Sequence, residues 1–125
     1  MVILITGKPD SGKTTHARSL AKEYADADLP AMVLDGDEIR SDTNNTDFSD
    51  EGRRKNLEKI AIMAAQIEKQ EITPIVAVVA PRVALRKMMR LHWRSSRLVY
   101  LPGGSLWPGT EYEQPLPEEF NVYYE

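Results

Sequence analysis

The sequence predicts an α/β fold in which helices flank a mainly parallel sheet of about four to five strands, and three features carry that prediction. Short apolar runs recur along the chain, the clearest being Pro74–Pro81, which is continuous, β-branched and bounded by prolines. Between the runs lie segments with apolar residues at helical spacing, as at Ala17, Leu20, Ala21 and Tyr24. A glycine-containing stretch, Gly7-Lys8-Pro9-Asp10-Ser11-Gly12-Lys13-Thr14, joins the first strand to the first helix. Alternating strands and helices are the pattern of a parallel sheet covered on both faces.

The first run, Val2-Ile3-Leu4-Ile5-Thr6, reads as a buried strand and feeds directly into that stretch, which fits G-x-x-x-x-G-K-[ST]. A strand, a phosphate-cradling loop and a helix in this order specify a three-layer α/β/α P-loop NTPase fold. Each residue type has a physical reason. Glycines let the backbone turn tightly and aim successive N–H groups at phosphate oxygens, at a helix N-terminus whose dipole also favours negative charge. The expected triphosphate site therefore comprises Gly7, Lys8, Pro9, Asp10, Ser11, Gly12, Lys13, Thr14 and Thr15. Lys13 is expected to reach the β and γ phosphates of ATP, and Thr14 to offer its hydroxyl to Mg²⁺.

The first helix is expected over 14–25 and is broken at Leu29-Pro30, because a residue before proline is pushed out of the helical region. Ala31-Met32-Val33-Leu34 is the second strand, ending in Asp35-Gly36-Asp37. Acidic residues past the carboxyl end of a parallel strand face the ligand crevice. The polar, turn-rich stretch from Ser41 to Asp47 reads as a surface loop ending at Phe48-Ser49. As a large aromatic in such a loop, Phe48 is a core anchor or a platform for a base.

A long helix follows over 50–70, capped by Ser49 or Asp50, with Leu57, Ile60, Ala61, Ala64 and Ile67 as its core stripe. Its early turns carry Arg53, Arg54, Lys55 and Asn56. Basic residues at the positive end of a helix point to an anionic partner. The third strand, Pro74–Pro81, has no acidic residue at its end, so Asp35 and Asp37 are the better candidates near Mg²⁺. On a helix over 82–93, Arg82, Arg86 and Arg90 share one face, with Arg82 and Arg86 the pair expected to touch ligand. Leu98-Val99-Tyr100-Leu101 is a fourth strand. Beyond it the proline- and glycine-rich chain reads as a surface tail over about 102–125, with Trp107, Tyr123 and Tyr124 as packing anchors.

A length of 125 residues supports a single domain over 1–125 with one core. There is no cysteine, which rules out disulfides and thiolate zinc sites. The net charge of -3 argues against a broadly basic nucleic-acid surface. The initial apolar run is too short for an export signal and lacks a basic flank, so a soluble cytoplasmic protein without a membrane span is expected. A homodimer is kept open.

Beyond the phosphate loop, the sequence resembles the adenylyl-sulfate kinases, which phosphorylate the 3'-hydroxyl of adenosine 5'-phosphosulfate (APS) with ATP and Mg²⁺. The likeness runs from Met1 to about Arg90. Leu34-Asp35-Gly36-Asp37-Glu38-Ile39-Arg40 is similar to that family's L-D-G-D-x-x-R, Phe48-Ser49 to its F-S, and Arg53-Arg54-Lys55-Asn56 to its R-x-x-N. The resemblance implies that Phe48 stacks on the substrate adenine and that Arg40, Arg53, Asn56 and Arg86 hold the phosphosulfate. The chain also departs from the family. Where the family has I-S-P-Y-R-x-x-R, this chain has Val79-Ala80-Pro81-Arg82-Val83-Ala84-Leu85-Arg86. Ala80 thus replaces a serine that some members phosphorylate. Only Arg86 keeps an arginine in register. The family's long basic lid after the fourth strand has no counterpart, since Leu101 leads almost at once to Gly109-Thr110-Glu111-Tyr112-Glu113-Gln114-Pro115, which looks like the family's Y-E-x-P stretch.

The expected function is in-line phosphoryl transfer from Mg·ATP to APS. Catalysis falls to Lys13, to Asp37 as the residue that orients or deprotonates the acceptor hydroxyl, and to Asp35, which with Thr14 supports the metal. The alternatives are transfer to another hydroxyl (a nucleoside, a nucleic-acid 5'-end or a small alcohol) and a catalytically reduced ATP-binding module.

Overall fold

A computed structural model describes residues 1–42 and 49–123, with residues 41 and 42 described by their backbone alone. Strand β1 (Val2–Gly7) runs into helix α1 (Lys13–Asp26), then β2 (Ala31–Asp35), α2 (Gly36–Asp42) and α3 (Asp50–Lys69). After these come β3 (Thr73–Ala77), α4 (Val83–Arg90), β4 (Ser95–Leu101), a single 3₁₀ turn (Pro117–Glu119) and β5 (Asn121–Tyr123). Among the described residues the sheet has five strands in the order β2-β3-β1-β4-β5. The first four pair in parallel, and β5 joins β4 antiparallel. This is the α/β P-loop architecture expected from the sequence.

Alternation along β1 explains the layers, because successive side chains point to opposite faces of a strand. Ile3 and Ile5 pack with Ala17 of α1 and with Ile75 and Ala77 of β3. On the opposite face Val2 and Leu4 meet Leu57, Ile60, Ala61 and Ala64 of α3 and Met89 of α4. Leu4, Ile5 and Ile60 have no exposed surface, and each such side chain contributes about 1.5–3 kcal/mol. Trp93, just past α4, closes this layer by donating its indole N–H to the Ala61 carbonyl at 2.9 Å.

Several boundaries differ from expectation, each for a local reason. Val78 N–H makes the last ladder bond, to the Ile5 carbonyl, and the third strand ends there because the Val79 carbonyl accepts from the Thr6 side chain at 2.6 Å and Ala80 turns to φ +40. Helix α2, absent from the sequence reading, forms because Asp35 caps it: its Oδ1 accepts from the N–H groups of Asp37 at 2.9 Å and Glu38 at 3.2 Å. Ser49 caps α3 as expected, accepting from Gly52 N–H at 3.1 Å.

The largest correction concerns the expected surface tail. Its end forms β5 against β4, and Glu119 is 1% exposed. Tyr123 and Trp107, expected as packing anchors, are instead 65% and 57% exposed; Tyr124 lies outside the described residues. Among the described residues no helix is long and apolar enough to cross a membrane.

Candidate functional site

The carboxyl ends of β1, β2 and β3 come level at Ile5, Asp35 and Ala77, which are register partners across the sheet. Gly12 adopts φ +92 immediately before α1, the left-handed conformation a glycine adopts freely, so the loop delivers Lys13 and Thr14 to the first turn of that helix. Thr14 donates its hydroxyl proton to Asp35 Oδ2. Asp35 is therefore used twice, on Thr14 through one oxygen and on the start of α2 through the other. Lys13 Nζ donates to the Lys8 carbonyl at 2.8 Å, inside the curl of its own loop. Burial pulls the Lys13 ammonium below its ordinary value of 10.5, against the raising pull of the carboxylates of Asp37, Asp35 and Asp10.

One cavity opens over this end of the sheet. Pro9, Lys13 and Thr14 line it from the phosphate loop side, and Asp35, Asp37 and Arg40 from β2 and α2. Arg53 and Asn56 reach it from α3, where i, i+3 spacing sets them on one helix face. Their neighbours Arg54 and Lys55 pair with Glu58 and Glu51 at the surface instead. The remaining loop residues expected at the triphosphate site, Gly7, Lys8, Asp10, Ser11, Gly12 and Thr15, are not among those that line the cavity. Phe48 lies outside the described residues.

A sequence-family model described as Adenylylsulphate kinase matches residues 1–101. The chain belongs to the adenylylsulphate kinase family. An adenylyl-sulfate kinase of Paraburkholderia xenovorans is 37% identical over 90 residues, covering 71% of this chain and 50% of the relative. A probable adenylyl-sulfate kinase of Bacillus subtilis is 34% identical over 90 residues, with 71% and 46% covered. The chain thus spans about half the length of the curated relatives it matches. Among solved structures, an APS kinase of Mycobacterium tuberculosis in complex with AMPPNP and APS superposes with a TM-score of 0.74 at 23% identity, over 80% of this chain and 61% of that one. At that identity the likeness is one of fold.

Within this family member, Arg86 departs from its expected role. Its side chain has no exposed surface. Nε donates to Glu119 Oε1 at 2.9 Å, Nη1 to the Ala80 carbonyl at 2.7 Å and Nη2 to the Glu113 carbonyl at 2.8 Å. Arg90 adds a second guanidinium on Glu119 Oε1 at 2.9 Å. Burial pushes the Glu119 carboxyl up, but the hydrogen bonds from Arg86, the Leu116 N–H and Arg90 outweigh it and hold the carboxyl below its ordinary value. Arg86 is thus spent on anchoring the C-terminal segment and does not line the cavity. Arg82, exposed at the start of α4, does not line this cavity but lines an adjoining one that shares Arg53, Pro81, Thr110 and Glu111 with it.

Sequence reasoning missed the residues that line the cavity from beyond the family match, namely Leu106, Trp107, Thr110 and Glu111. Tyr112 ties this stretch to the core. Its ring stacks on Tyr100 with centroids 6.0 Å apart, and its hydroxyl lies 2.8 Å from Thr6 Oγ1. Since Thr6 gives its one proton to Val79, Tyr112 is the donor in that contact. The signals in the sequence were aromatic residues in a segment with little periodicity and, over 109–115, the likeness to the family's Y-E-x-P stretch, neither of which pointed to the cavity.

Proposed function

We propose that this chain catalyses ATP-dependent phosphorylation of the 3'-hydroxyl of APS. The observation that carries the reading is the single cavity shared by phosphate-loop residues Lys13 and Thr14, the carboxylate of Asp37, and the anion-binding set Arg40, Arg53 and Asn56. Donor and acceptor groups of opposite character share one enclosure, as direct transfer between two bound nucleotides requires. Membership of the adenylylsulphate kinase family supports the acceptor assignment.

In this reading the acceptor oxygen forms a bond to the γ-phosphorus as the bond from that phosphorus to the β,γ-bridging oxygen breaks, and ADP leaves. Asp37 orients the acceptor hydroxyl and takes its proton. Lys13 leaves the Lys8 carbonyl to hold γ-phosphate oxygens, and its charge offsets the charge carried by the phosphoryl group in flight. Arg40, Arg53 and Asn56 hold the phosphosulfate.

The Thr14 hydroxyl and Asp35 carboxylate, in contact with each other at the mouth of the loop, are the hard oxygen donors that Mg²⁺ takes. They would hold the ion, Asp35 through water, and the ion would supply neutralising charge to the β and γ phosphates. Among the described residues no group of three or more histidine or acidic side chains forms a cage, which fits an ion that arrives with its nucleotide. The reading carries with it a cytoplasmic setting and a place in sulfate assimilation.

The test is ADP release in a coupled assay with APS and a panel of other hydroxyl acceptors. APS-dependent turnover is expected; ATP binding without it, or turnover on another acceptor alone, would overturn the assignment.

A further inference from the structure

Residues 102–123 lie beyond the family match, yet this stretch completes the cavity wall. Its largest contribution is Trp107. At 57% exposure Trp107 makes little use of its ring in packing, although it lines the same cavity as Arg40, Arg53 and Asn56. Its placement is fixed from both sides. The Ser105 N–H donates to the Pro9 carbonyl at 3.1 Å, and the Thr110 N–H to the Trp107 carbonyl at 3.1 Å. Gly104 and Gly109 flank the segment at φ +80 and +79, conformations that let the chain reverse within a few residues.

We propose that Trp107 is a base-recognition residue of the acceptor subsite, giving the purine a flat apolar face in the same cavity as Arg40, Arg53 and Asn56 and in addition to the stacking expected of Phe48. This rests on the phosphotransfer reading above and adds to it a specificity-determining side chain from a segment with no part in the family match. The physical case is one of complementarity. Arg40, Arg53 and Asn56 suit an anion, whereas the exposed indole of Trp107 brings to the cavity a broad apolar surface on which a base can stack. An exposed tryptophan beside a cavity gains a stacking partner when an aromatic ligand enters, whereas the second tryptophan of the chain, Trp93, is 3% exposed and already bonded to Ala61. The fluorescence of the two residues therefore separates cleanly.

Titration of the intact chain with APS is expected to quench and shift the exposed-tryptophan emission, and Trp107→Phe to retain APS binding. Trp107→Ala is expected to raise KM for APS by roughly tenfold or more with kcat little changed, since stacking contributes to binding both before and during transfer. Because the side chain is exposed, Tm of the alanine variant should match the parent. APS turnover with no emission change and an unaltered KM in Trp107→Ala would overturn the inference while leaving the phosphotransfer reading intact. A response to AMPPNP alone would overturn it by assigning Trp107 to the donor. An APS-dependent emission change without APS turnover would support the stacking role and sink only the proposed reaction.

Discussion

Lys13 sits where burial works against its own charge, and three nearby carboxylates offset only part of that cost. A triphosphate would reverse the balance, because phosphate oxygens favour the ammonium form and raise its pKa in the complex. The affinity gained is then fully present below the free-site pKa and lost as pH rises through it, a point that lies below 10.5. AMPPNP binding is expected to weaken by up to about tenfold per pH unit above that point, and a calorimetric titration from neutral to alkaline pH checks it. In Lys13→Met the affinity should be low and flat with pH. Asp37 presents the opposite case. Asp37→Asn removes the proton acceptor proposed for the hydroxyl, so kcat should fall by about 10²–10⁴. AMPPNP should bind at least as tightly as before, since a negative charge beside the triphosphate is gone. Loss of nucleotide affinity together with kcat would show that Asp37 serves the site as structure.

Helix α4 and the segment after β4 act as a pair. Arg86 and Arg90 on α4 meet Glu119 out of contact with water, and removing one partner of such a buried ion pair costs about 3–5 kcal/mol because the other charge is left uncompensated. Glu119→Gln should therefore lower Tm markedly at neutral pH. The Glu119 carboxyl titrates below its ordinary 4.5, so the stabilisation is present above that value and lost as pH falls through the folded-state pKa. The Tm gap between Glu119→Gln and the parent should close in acid.

The same segment touches the phosphate loop at Gly104. A Cβ there would collide with the Pro9 carbonyl oxygen and crowd Ser11 N, and a β-branched residue at φ +80 carries about 1–2 kcal/mol of backbone strain besides. Gly104→Val is expected to weaken AMPPNP binding by displacing the loop, whereas Gly103→Val, where nothing lies within 4 Å, should not. Equal effects of the two substitutions would show that the contact does not set the loop.

At the scale of the whole molecule, the C-terminal segment supplies the carboxylate that neutralises two buried arginines and the edge strand beside β4, so folding of the rest is expected to depend on it. The region matched by the family model ends at residue 101, but a chain cut there would leave Arg86 and Arg90 buried without the carboxylate that neutralises them and would strip β4 of its antiparallel neighbour. A 1–101 fragment should show no cooperative thermal unfolding by circular dichroism; a sharp transition near that of the parent would refute the dependence. The arginine stripe of α4 shows why this was hidden. Spacing alone set Arg82, Arg86 and Arg90 on one face, and an anionic ligand explained them, because Glu119 stands 33 residues from Arg86 and no local pattern links the two. Helix α2 escaped for a similar reason, its cap being a carboxylate that also serves Thr14. What the sequence determined by itself was the phosphate loop, the strands that flank it and the helix faces that cover them. Those depend on conformational freedom, hydrophobic period and capping within a few residues. Only the tertiary structure decided which charges are buried against each other and which aromatic is left open to the cavity. Both depend on where distant segments of the chain come to rest, so Arg86 is an anchor and Trp107 lines the cavity.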